Sequence, residues 1–241
     1  MNSWVLHHGS SRAGRTYTRP LGTTELGFYW DSLFNGTADT VRHAVIEVVP
    51  QSTGELTVFE KAWIGLKRQY PLLGANLEEQ GNDRRQVNFV VNNLDLGRLS
   101  PGEVELQHVS SDKKVQDFID QLVNGKRRLS NQLLARLFVL VQDISGCRYH
   151  ILIHAAHCIT DGMSNLNIIR TLLEDLSSPK CRKTFNLEER LALAMASEDL
   201  SPIIKRSRPV QRWHRAMGHV ILSLRMKNLI VRSINLGLWI S

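Results

Sequence analysis

One stretch of the sequence predicts both an architecture and a chemistry, and it covers residues 149–162, YHILIHAAHCITDG. Its first part, 149–156, is mostly apolar, which predicts a buried strand. Asp161-Gly162 then predicts a tight turn, and apolar side chains at three- and four-residue steps over 163–176 predict a helix. A histidine at the end of a strand can accept a proton near neutral pH, because the unperturbed pKa of its imidazole is about 6.5. The stretch therefore predicts a base held on a loop between a strand and a helix.

Strand geometry separates the histidines of this stretch. Neighbouring side chains of a strand point to opposite faces, so in a strand that runs on to His157 this residue shares its face with Ala155, and His154 faces the other way. That divergence weakens the alternative of a metal hydrolase built on His154, His157 and Asp161. We interpret His154 and Thr160 as residues that line or orient the site, and Cys158 as a core residue.

The other segments show strands and helices without a strict strand–helix–strand repeat. Strands are predicted over 43–49, 87–91 and 103–109, with a hairpin over 133–141 and 148–155. Helices are predicted over 57–70, 163–176 and 187–196; one more begins at Thr23 or Thr24 and breaks at Asn35-Gly36, and another follows Asp112. Residues 1–18 are predicted to be an irregular leader. These elements favour an α+β fold of two layers, in which helices cover one face of a mixed sheet.

Charge is distributed unevenly along the chain. The 30 Lys and Arg residues exceed the 23 Asp and Glu residues, for a net charge of +7. All of the acidic residues lie at or before Asp199, whereas eight basic residues follow position 200. The body of the chain is therefore close to neutral, which argues against a nucleic-acid-binding domain with a basic face.

Cysteine usage and hydropathy point to a compartment. The three cysteines, Cys147, Cys158 and Cys181, are odd in number and form no Cys-x-x-Cys pair. This pattern disfavours a disulfide framework and a zinc knuckle and favours a reducing environment. No apolar run approaches the roughly 18–20 residues of a membrane-spanning helix. We therefore expect a cytoplasmic protein without a transmembrane segment.

Residues 157–162, HCITDG, resemble the His-x-x-x-Asp-Gly signature of the chloramphenicol acetyltransferase-like superfamily of CoA-dependent acyltransferases. Two further segments agree: RPLGTTE at 19–25 resembles the opening turn of that family, and KRQYPLLGA at 67–75 resembles its helix-to-strand segment. The resemblance covers about residues 15–200 and matches the first lobe of the two-lobed members. Within the superfamily the chain is similar to the fungal O-acetyltransferases of secondary metabolism, such as those of trichothecene mycotoxin biosynthesis.

This resemblance implies an acyl transfer from acetyl-CoA to a hydroxyl of a secondary metabolite such as a trichothecene, with no metal. In that mechanism His157 is the general base, Asp161 positions the loop through an arginine, and Gly162 allows the turn. Condensation domains of the superfamily carry an additional histidine at the position of Ala156, so Ala156 favours an O-acyltransferase over peptide condensation.

Two-lobed members close the site with a second lobe that bears an Asp-Phe-Gly-Trp-Gly-like motif, which this sequence lacks. We therefore expect residues 19–200 to form an acyltransferase first lobe, and residues 201–241 to be a basic apolar tail, either a truncated linker or a non-native end. A second copy of the chain or a partner chain would then complete the site. The alternative function is that of a catalytically inactive, half-length remnant that acts only as a binding or interaction domain.

Overall fold

A computed structural model describes residues 3–8, 14–36, 38–48, 56–81, 83–144, 146–177 and 185–200, together with Trp213 and Met217. The chain divides into two compact units, Met1–Ser201 and Pro202–Ser241. All of the strands and helices given below belong to the first unit. The predicted basic apolar tail over 201–241 lies outside the described residues, apart from Trp213 and Met217.

The described strands and helices follow one another in the order β1 (Val5–His8), β2 (Arg15–Pro20), α1 (Thr23–Trp30), β3 (Asp39–Val48), α2 (Leu56–Gln69), β4 (Asn76–Gln80), β5 (Asp83–Asn92), β6 (Val104–Val109), α3 (Asp112–Asn124), β7 (Ala135–Ile144), β8 (Gly146–Ala156), α4 (Gly162–Ser177), α5 (Leu187–Leu193) and α6 (Ser197–Leu200). A π-helical turn, Asp31–Asn35, prolongs α1, and 3-10 turns occupy Pro71–Gly74 and Asp95–Gly97. Within the described ranges, none of the helices combines the length and the apolar character needed to cross a bilayer.

The larger sheet has the order β3-β8-β7-β6, which places β8 in its interior. β8 pairs antiparallel with both β3 and β7, whereas β6 pairs parallel with β7. The predicted hairpin is therefore confirmed as β7 and β8, with Val139 opposite Ile151. Because β8 is held on both sides, the position of its last residue, Ala156, is fixed by the sheet.

Side chains alternate across β8 as the sequence predicts. The odd-numbered residues from Tyr149 to Ala155 belong to a buried cluster with residues of α2 and α4. Leu152 belongs instead to a cluster with residues of β7 and α3. The members from α2 and α4 in the first cluster are Phe59, Trp63, Leu66, Ile168, Ile169 and Leu172, and those from α3 in the second are Val115, Phe118 and Leu122. The α+β class with a mixed sheet is confirmed, but helices cover both faces of the sheet and not one as predicted, because α3 packs on the face opposite to α2 and α4.

A second, antiparallel sheet has the order β1-β2-β5-β4. The prediction of an irregular leader over residues 1–18 is wrong for the described residues, because β1 and most of β2 fall within it. In β2, Tyr17 and Arg19 point inward and are 4% and 0% exposed. The buried arginine breaks the apolar alternation that would have revealed this strand. Its charge is met by the carboxylate of Glu25, at 2.8 Å.

The start of α1 differs from the prediction. Gly22, and not Thr23 or Thr24, is the N-cap residue, and its amide donates a hydrogen bond to the Glu25 carboxylate at 2.6 Å. Because the same carboxylate binds Arg19, one acidic side chain ties the end of β2 to the first turn of α1.

The structure confirms the predicted break after α1 but shortens the last predicted helix. The break is confirmed at Gly36, whose φ of 65° is a left-handed conformation that glycine adopts without steric cost. The helix predicted over 187–196 is shorter than expected, because α5 ends at Leu193.

Candidate active site

His157 is the first residue after β8, and two contacts fix it. Its amide donates a hydrogen bond to the carbonyl oxygen of Ala38, at 2.9 Å. Its imidazole stacks on the ring of Phe28 in α1, with 3.9 Å between ring centroids and 4° between ring planes. One contact therefore holds the main chain of His157, and the other holds the plane of its ring.

The two nitrogens of the His157 ring differ in their surroundings. Nδ1 is buried and has no hydrogen-bond partner, whereas Nε2 is not among the buried atoms that lack a partner. A base must reach the proton that it takes, and so Nε2 is the nitrogen suited to that task. The stacked Phe28 ring fixes the plane of the imidazole, because the imidazole cannot tilt out of that plane without losing the contact.

Asp161 lies four residues beyond His157 and caps α4. One of its carboxylate oxygens accepts a hydrogen bond from the amide of Ser164 at 2.7 Å, and its main-chain oxygen accepts one from Asn165 at 2.9 Å. The pKa of the Asp161 carboxyl is lowered, chiefly by hydrogen bonds from the amide and side chain of Ser164, with a smaller effect of the His157 imidazole. The carboxylate is therefore a fixed negative charge at the start of the helix.

The predicted arginine partner of Asp161 is not found as an ion pair among the described residues. Helix amides take its place, because the first turn of α4 offers the carboxylate several donors. An arginine is nevertheless close to this loop. Arg42 of β3 approaches Gly162, and its Nε is buried without a hydrogen-bond partner.

Gly162 has a different role from the predicted one. It is not among the described glycines with a left-handed φ, so the turn does not depend on its backbone freedom. An added Cβ at this position would instead lie 3.3 Å from Nη2 of Arg42. The absence of a side chain at Gly162 therefore makes room for the guanidinium group beside the loop.

Thr160 is buried, and its hydroxyl takes part in a chain of hydrogen bonds beneath the loop. Its hydroxyl donates to Asn165 Oδ1 at 2.8 Å, and Asn165 Nδ2 donates to the Thr40 hydroxyl at 3.0 Å. The Thr40 hydroxyl then donates to the main-chain oxygen of Ala155 at 3.1 Å. This chain joins the loop, α4, β3 and β8. Neither Thr40 nor Asn165 was predicted from the sequence, although Asn165 is a polar residue on the apolar stripe of α4 that includes Ile168, Ile169 and Leu172.

His154 is enclosed in the interior, on the face of β8 opposite to Ala155. It is 1% exposed, neither ring nitrogen has a hydrogen-bond partner, and its Nε2 lies 3.9 Å from Asp39. Burial lowers the pKa of His154 to about 4; Asp39 opposes this shift, and nearby arginines reinforce it. His154 is therefore neutral at physiological pH and presents no surface to a ligand.

A strained residue lies at the start of β3. Ala38 has a φ of 63°, in the left-handed region where a non-glycine residue costs about 1–3 kcal/mol. The next residue, Asp39, accepts two hydrogen bonds from the guanidinium group of Arg127, at 2.8 and 3.2 Å. Ser32 also reaches Asp39, at 3.4 Å. None of these residues was identified from the sequence.

Cys158 is confirmed as a core residue. It is a free cysteine, it is 5% exposed, and it belongs to the cluster that contains Tyr17, Phe89 and Leu191. Burial raises the pKa of its thiol to about 12, so the nucleophilic thiolate is disfavoured. The described residues contain no group of three His, Cys, Asp or Glu side chains that could hold a metal ion.

A cavity of about 380 Å³ lies between the N-terminal strands and α5, and it is lined by residues that include Trp4, Tyr17, Leu191 and Met195. No residue of the 157–161 loop lines it. The chemistry-bearing loop and this cavity are therefore separate features of the molecule.

The fold of the first unit is the one seen in chloramphenicol acetyltransferase-like acyltransferases and condensation domains. No protein-family model and no curated protein sequence matches the chain. Among solved structures it is similar to trichothecene 15-O-acetyltransferase from Fusarium sporotrichioides, with a TM-score of 0.57 and 15% identity over 78% of this chain and 41% of that chain.

Two further structures are similar to this chain. A four-domain nonribosomal peptide synthetase bound to AMP and glycine has a TM-score of 0.58 and 14% identity, over 91% of this chain and 15% of that chain. The starter condensation domain of rhizomide synthetase has a TM-score of 0.51 and 12% identity, over 66% of this chain and 37% of that chain. The chain spans less than half the length of each of the three structures.

Proposed function

We propose that this protein is a CoA-dependent O-acyltransferase that transfers an acetyl group from acetyl-CoA to a hydroxyl of a secondary metabolite such as a trichothecene. The observation that carries the proposal is the placement of His157, at the end of the central strand β8, with its ring held flat against Phe28. The shared fold with trichothecene 15-O-acetyltransferase supports it. Ala156 supports O-acylation over peptide condensation, because it stands where condensation domains carry an additional histidine.

In this reaction His157 acts first as a base and then as an acid. Its Nε2 takes the proton of the acceptor hydroxyl while the hydroxyl oxygen attacks the thioester carbonyl carbon. The carbon–sulfur bond then breaks, and the CoA thiolate leaves and takes the proton back from the imidazolium. General acid–base catalysis of this kind contributes about 10²–10⁴-fold, and the alignment of both substrates adds to it.

Two neighbours hold the base and its loop in place. The Phe28 ring stacks on the imidazole of His157, with 3.9 Å between ring centroids, and the carboxylate of Asp161 accepts a hydrogen bond from the Ser164 amide at 2.7 Å. Asp161 does not contact substrate in this mechanism. It holds the 157–161 loop on the first turn of α4, while Arg42 and Gly162 pack beside it.

The proposal also includes a surface that encloses the two substrates beside the 157–161 loop. Exposed apolar side chains lie on the segments next to the loop, namely Phe34 after α1 and Met163 and Leu166 in α4. We infer that these residues meet a surface contributed by a second copy of the chain or by a partner chain, which encloses the two substrates. The compartment is the cytoplasm, where the buried Cys158 thiol stays reduced.

The experiment incubates the purified protein with acetyl-CoA and a panel of trichothecene alcohols and detects the ester by mass spectrometry. His157→Ala is expected to lower the rate by about 10²–10⁴-fold, because it removes the base. The matched control is His108→Ala, on the exposed edge of β6, and it is expected to retain the wild-type rate. Full activity in His157→Ala would refute the assignment of the base.

A thermal melt with CoA separates the enzyme from the alternative, a catalytically inactive binding domain. A site that binds CoA gains about 2.7 kcal/mol of stability at a hundredfold excess of CoA over its dissociation constant. Stabilisation without ester formation would favour the binding domain. If CoA does not stabilise the protein and no ester forms, the proposed function is contradicted.

A further inference from the structure

The two contacts that hold His157 lead to one acidic side chain, Asp39. Asp39 follows Ala38, whose carbonyl oxygen accepts the His157 amide at 2.9 Å. The carboxylate of Asp39 also lies 3.4 Å from the hydroxyl of Ser32, and that hydroxyl donates to the main-chain oxygen of Phe28 at 3.0 Å. Asp39 therefore adjoins both the segment that holds the main chain of His157 and the helix that holds its ring.

Arg127 fixes Asp39 in this place. Its Nε and Nη2 atoms donate to the two oxygens of the carboxylate, at 2.8 and 3.2 Å, in the bidentate geometry that sets direction as well as distance. The ion pair is largely shielded from water, with side-chain exposures of 21% for Arg127 and 10% for Asp39. His154, on the other side of Asp39, is neutral and lies 3.9 Å away, so it does not replace the guanidinium group.

The strain at Ala38 shows why such a clamp is needed. An alanine at a φ of 63° relaxes to an ordinary conformation unless the residues around it prevent this. Relaxation would turn the Ala38 carbonyl away from the His157 amide, because that carbonyl moves with the backbone angles of Ala38. Asp39 is held from outside by Arg127 and by its pairing with Ala156 in the sheet, and so it opposes the relaxation.

We propose that Arg127 is a positioning residue for His157, acting through Asp39 on the Ala38 carbonyl and on the helix that carries Phe28. The inference rests on the proposed function, in which His157 is the base. Arg127 does not touch substrate. It keeps the imidazole in the orientation that the proton transfer requires, and its loss lets the main chain and the ring of His157 move together.

The kinetic test compares Arg127→Ala and Arg127→Lys with Arg170→Ala, which removes an arginine from an exposed ion pair on α4. Arg127→Ala is expected to lower kcat about 10- to 100-fold with KM little changed, since small misplacements of a reacting group cost about this much. Arg127→Lys is expected to recover only part of the loss, because the ammonium group restores the positive charge but not the planar, bidentate geometry of the guanidinium group. Unchanged kcat in Arg127→Ala would overturn the proposal.

A second measurement does not depend on turnover. NMR of protein with labelled histidine follows the ring protons of His157, which the stacked Phe28 ring shifts upfield. In Arg127→Ala these signals are expected to move towards the positions of an unstacked histidine, while Arg170→Ala leaves them in place. If the wild-type protein forms no ester, the proposed function fails, and this spectrum still decides whether Arg127 positions His157. Unmoved signals in a folded Arg127→Ala protein would overturn the inference.

The route through Ala38 has its own test. Glycine adopts a φ near 63° without steric cost, so Ala38→Gly removes the strain that the clamp opposes. In the Arg127→Ala background, Ala38→Gly is therefore expected to restore part of the kcat and part of the His157 shift. If the double variant is no better than Arg127→Ala alone, Arg127 does not act through Ala38.

Discussion

Two buried polar regions of this molecule differ in how completely their atoms are paired. In the first, Lys67 and Glu103 are both 2% exposed and lie 2.9 Å apart. Lys67 also donates to the main-chain oxygens of Asp95 and Arg98, and Glu103 accepts from Trp63 Nε1 at 2.8 Å and from the Ser100 amide at 2.7 Å. In the second, around the 157–161 loop, buried nitrogens of Arg42, His154 and His157 have no hydrogen-bond partner.

The difference distinguishes a structural region, around Lys67 and Glu103, from the candidate active site, around the 157–161 loop. A buried polar group that lacks a partner costs about 1–3 kcal/mol, and the paired Lys67–Glu103 region, which joins α2 to the start of β6, avoids that cost. The loop region carries unpaired nitrogens and the strained Ala38, which lower stability. Strain and unpaired groups of this kind persist where a protein holds groups for chemistry, which agrees with the placement of His157 in this region.

The largest effect is expected in the paired region. Glu103→Ala leaves the ammonium group of Lys67 buried without its carboxylate, and such a loss costs about 3–5 kcal/mol. Urea denaturation of the variant and of the wild-type protein measures this difference. Glu174→Ala, which removes the acid of an exposed ion pair on α4, is the control and should have far less effect. Equal losses of unfolding free energy in the two variants would mean that the Lys67–Glu103 pair contributes no more to stability than an exposed ion pair.

A smaller effect, visible through pH, is expected from His154. Its pKa is about 4 in the folded protein and about 6.5 in the unfolded chain, so the unfolded chain binds the proton first. The free energy of unfolding is therefore unaffected by His154 above pH 6.5 and falls by about 3 kcal/mol as the pH drops from about 6.5 to 4. His154→Leu should remove this part of the pH dependence.

Urea denaturation across this pH interval measures the effect, and His108→Leu serves as an exposed control. Burial also lowers the pKa of His43 and of His150, so some pH dependence in the same direction is expected to remain in His154→Leu. Identical pH profiles for the wild-type protein and His154→Leu would contradict the neutral, enclosed state of His154.

The smallest effect is expected at the cap of α4. Asp161→Ala should cost about 1 kcal/mol at pH 7, the usual value for a lost N-cap side chain. The pKa of Asp161 is lowered on folding, so its contribution is present above the ordinary aspartate pKa of about 3.9 and is lost as the pH falls below it. The difference in unfolding free energy between the two proteins should therefore shrink between pH 7 and pH 3.

Ser111→Ala is the matched control for that measurement, because Ser111 caps α3 with a hydroxyl that does not titrate in this range. Its cost should stay constant between pH 7 and pH 3. A constant cost for Asp161→Ala as well would show that the charge of its carboxylate does not stabilise the helix.

The parts of the fold that the sequence predicts are those with a local signal. Strand β8 and helix α4 were found because their apolar residues recur at the spacing of a strand and of a helix. Strand β2 was missed because Arg19 occupies an inward position that the alternation rule reserves for apolar residues. That arginine can be buried because it pairs with Glu25 on the next element and lies over the rings of Trp4 and Phe89.

In the candidate site, too, the residues that could be predicted are those with a local sequence signal. His157 and Asp161 were identified from a short motif, and Asn165 had a local signal in its place on an apolar stripe. Arg127 and Asp39 had none, because they are 88 residues apart in the chain and neither belongs to a pattern. The left-handed Ala38 is set by its surroundings and not by alanine itself, so no propensity predicts it.

Cys158, which follows His157 directly, provides a way to time the motions of the loop. Because its thiol is 5% exposed and has a pKa of about 12, a thiol reagent can alkylate it only during brief local openings of the structure. The rate of alkylation of Cys158 therefore reports how often the segment next to His157 opens. Each variant of Arg127, Asp39 or Phe28 can be ranked by that rate, in the same protein and without any substrate.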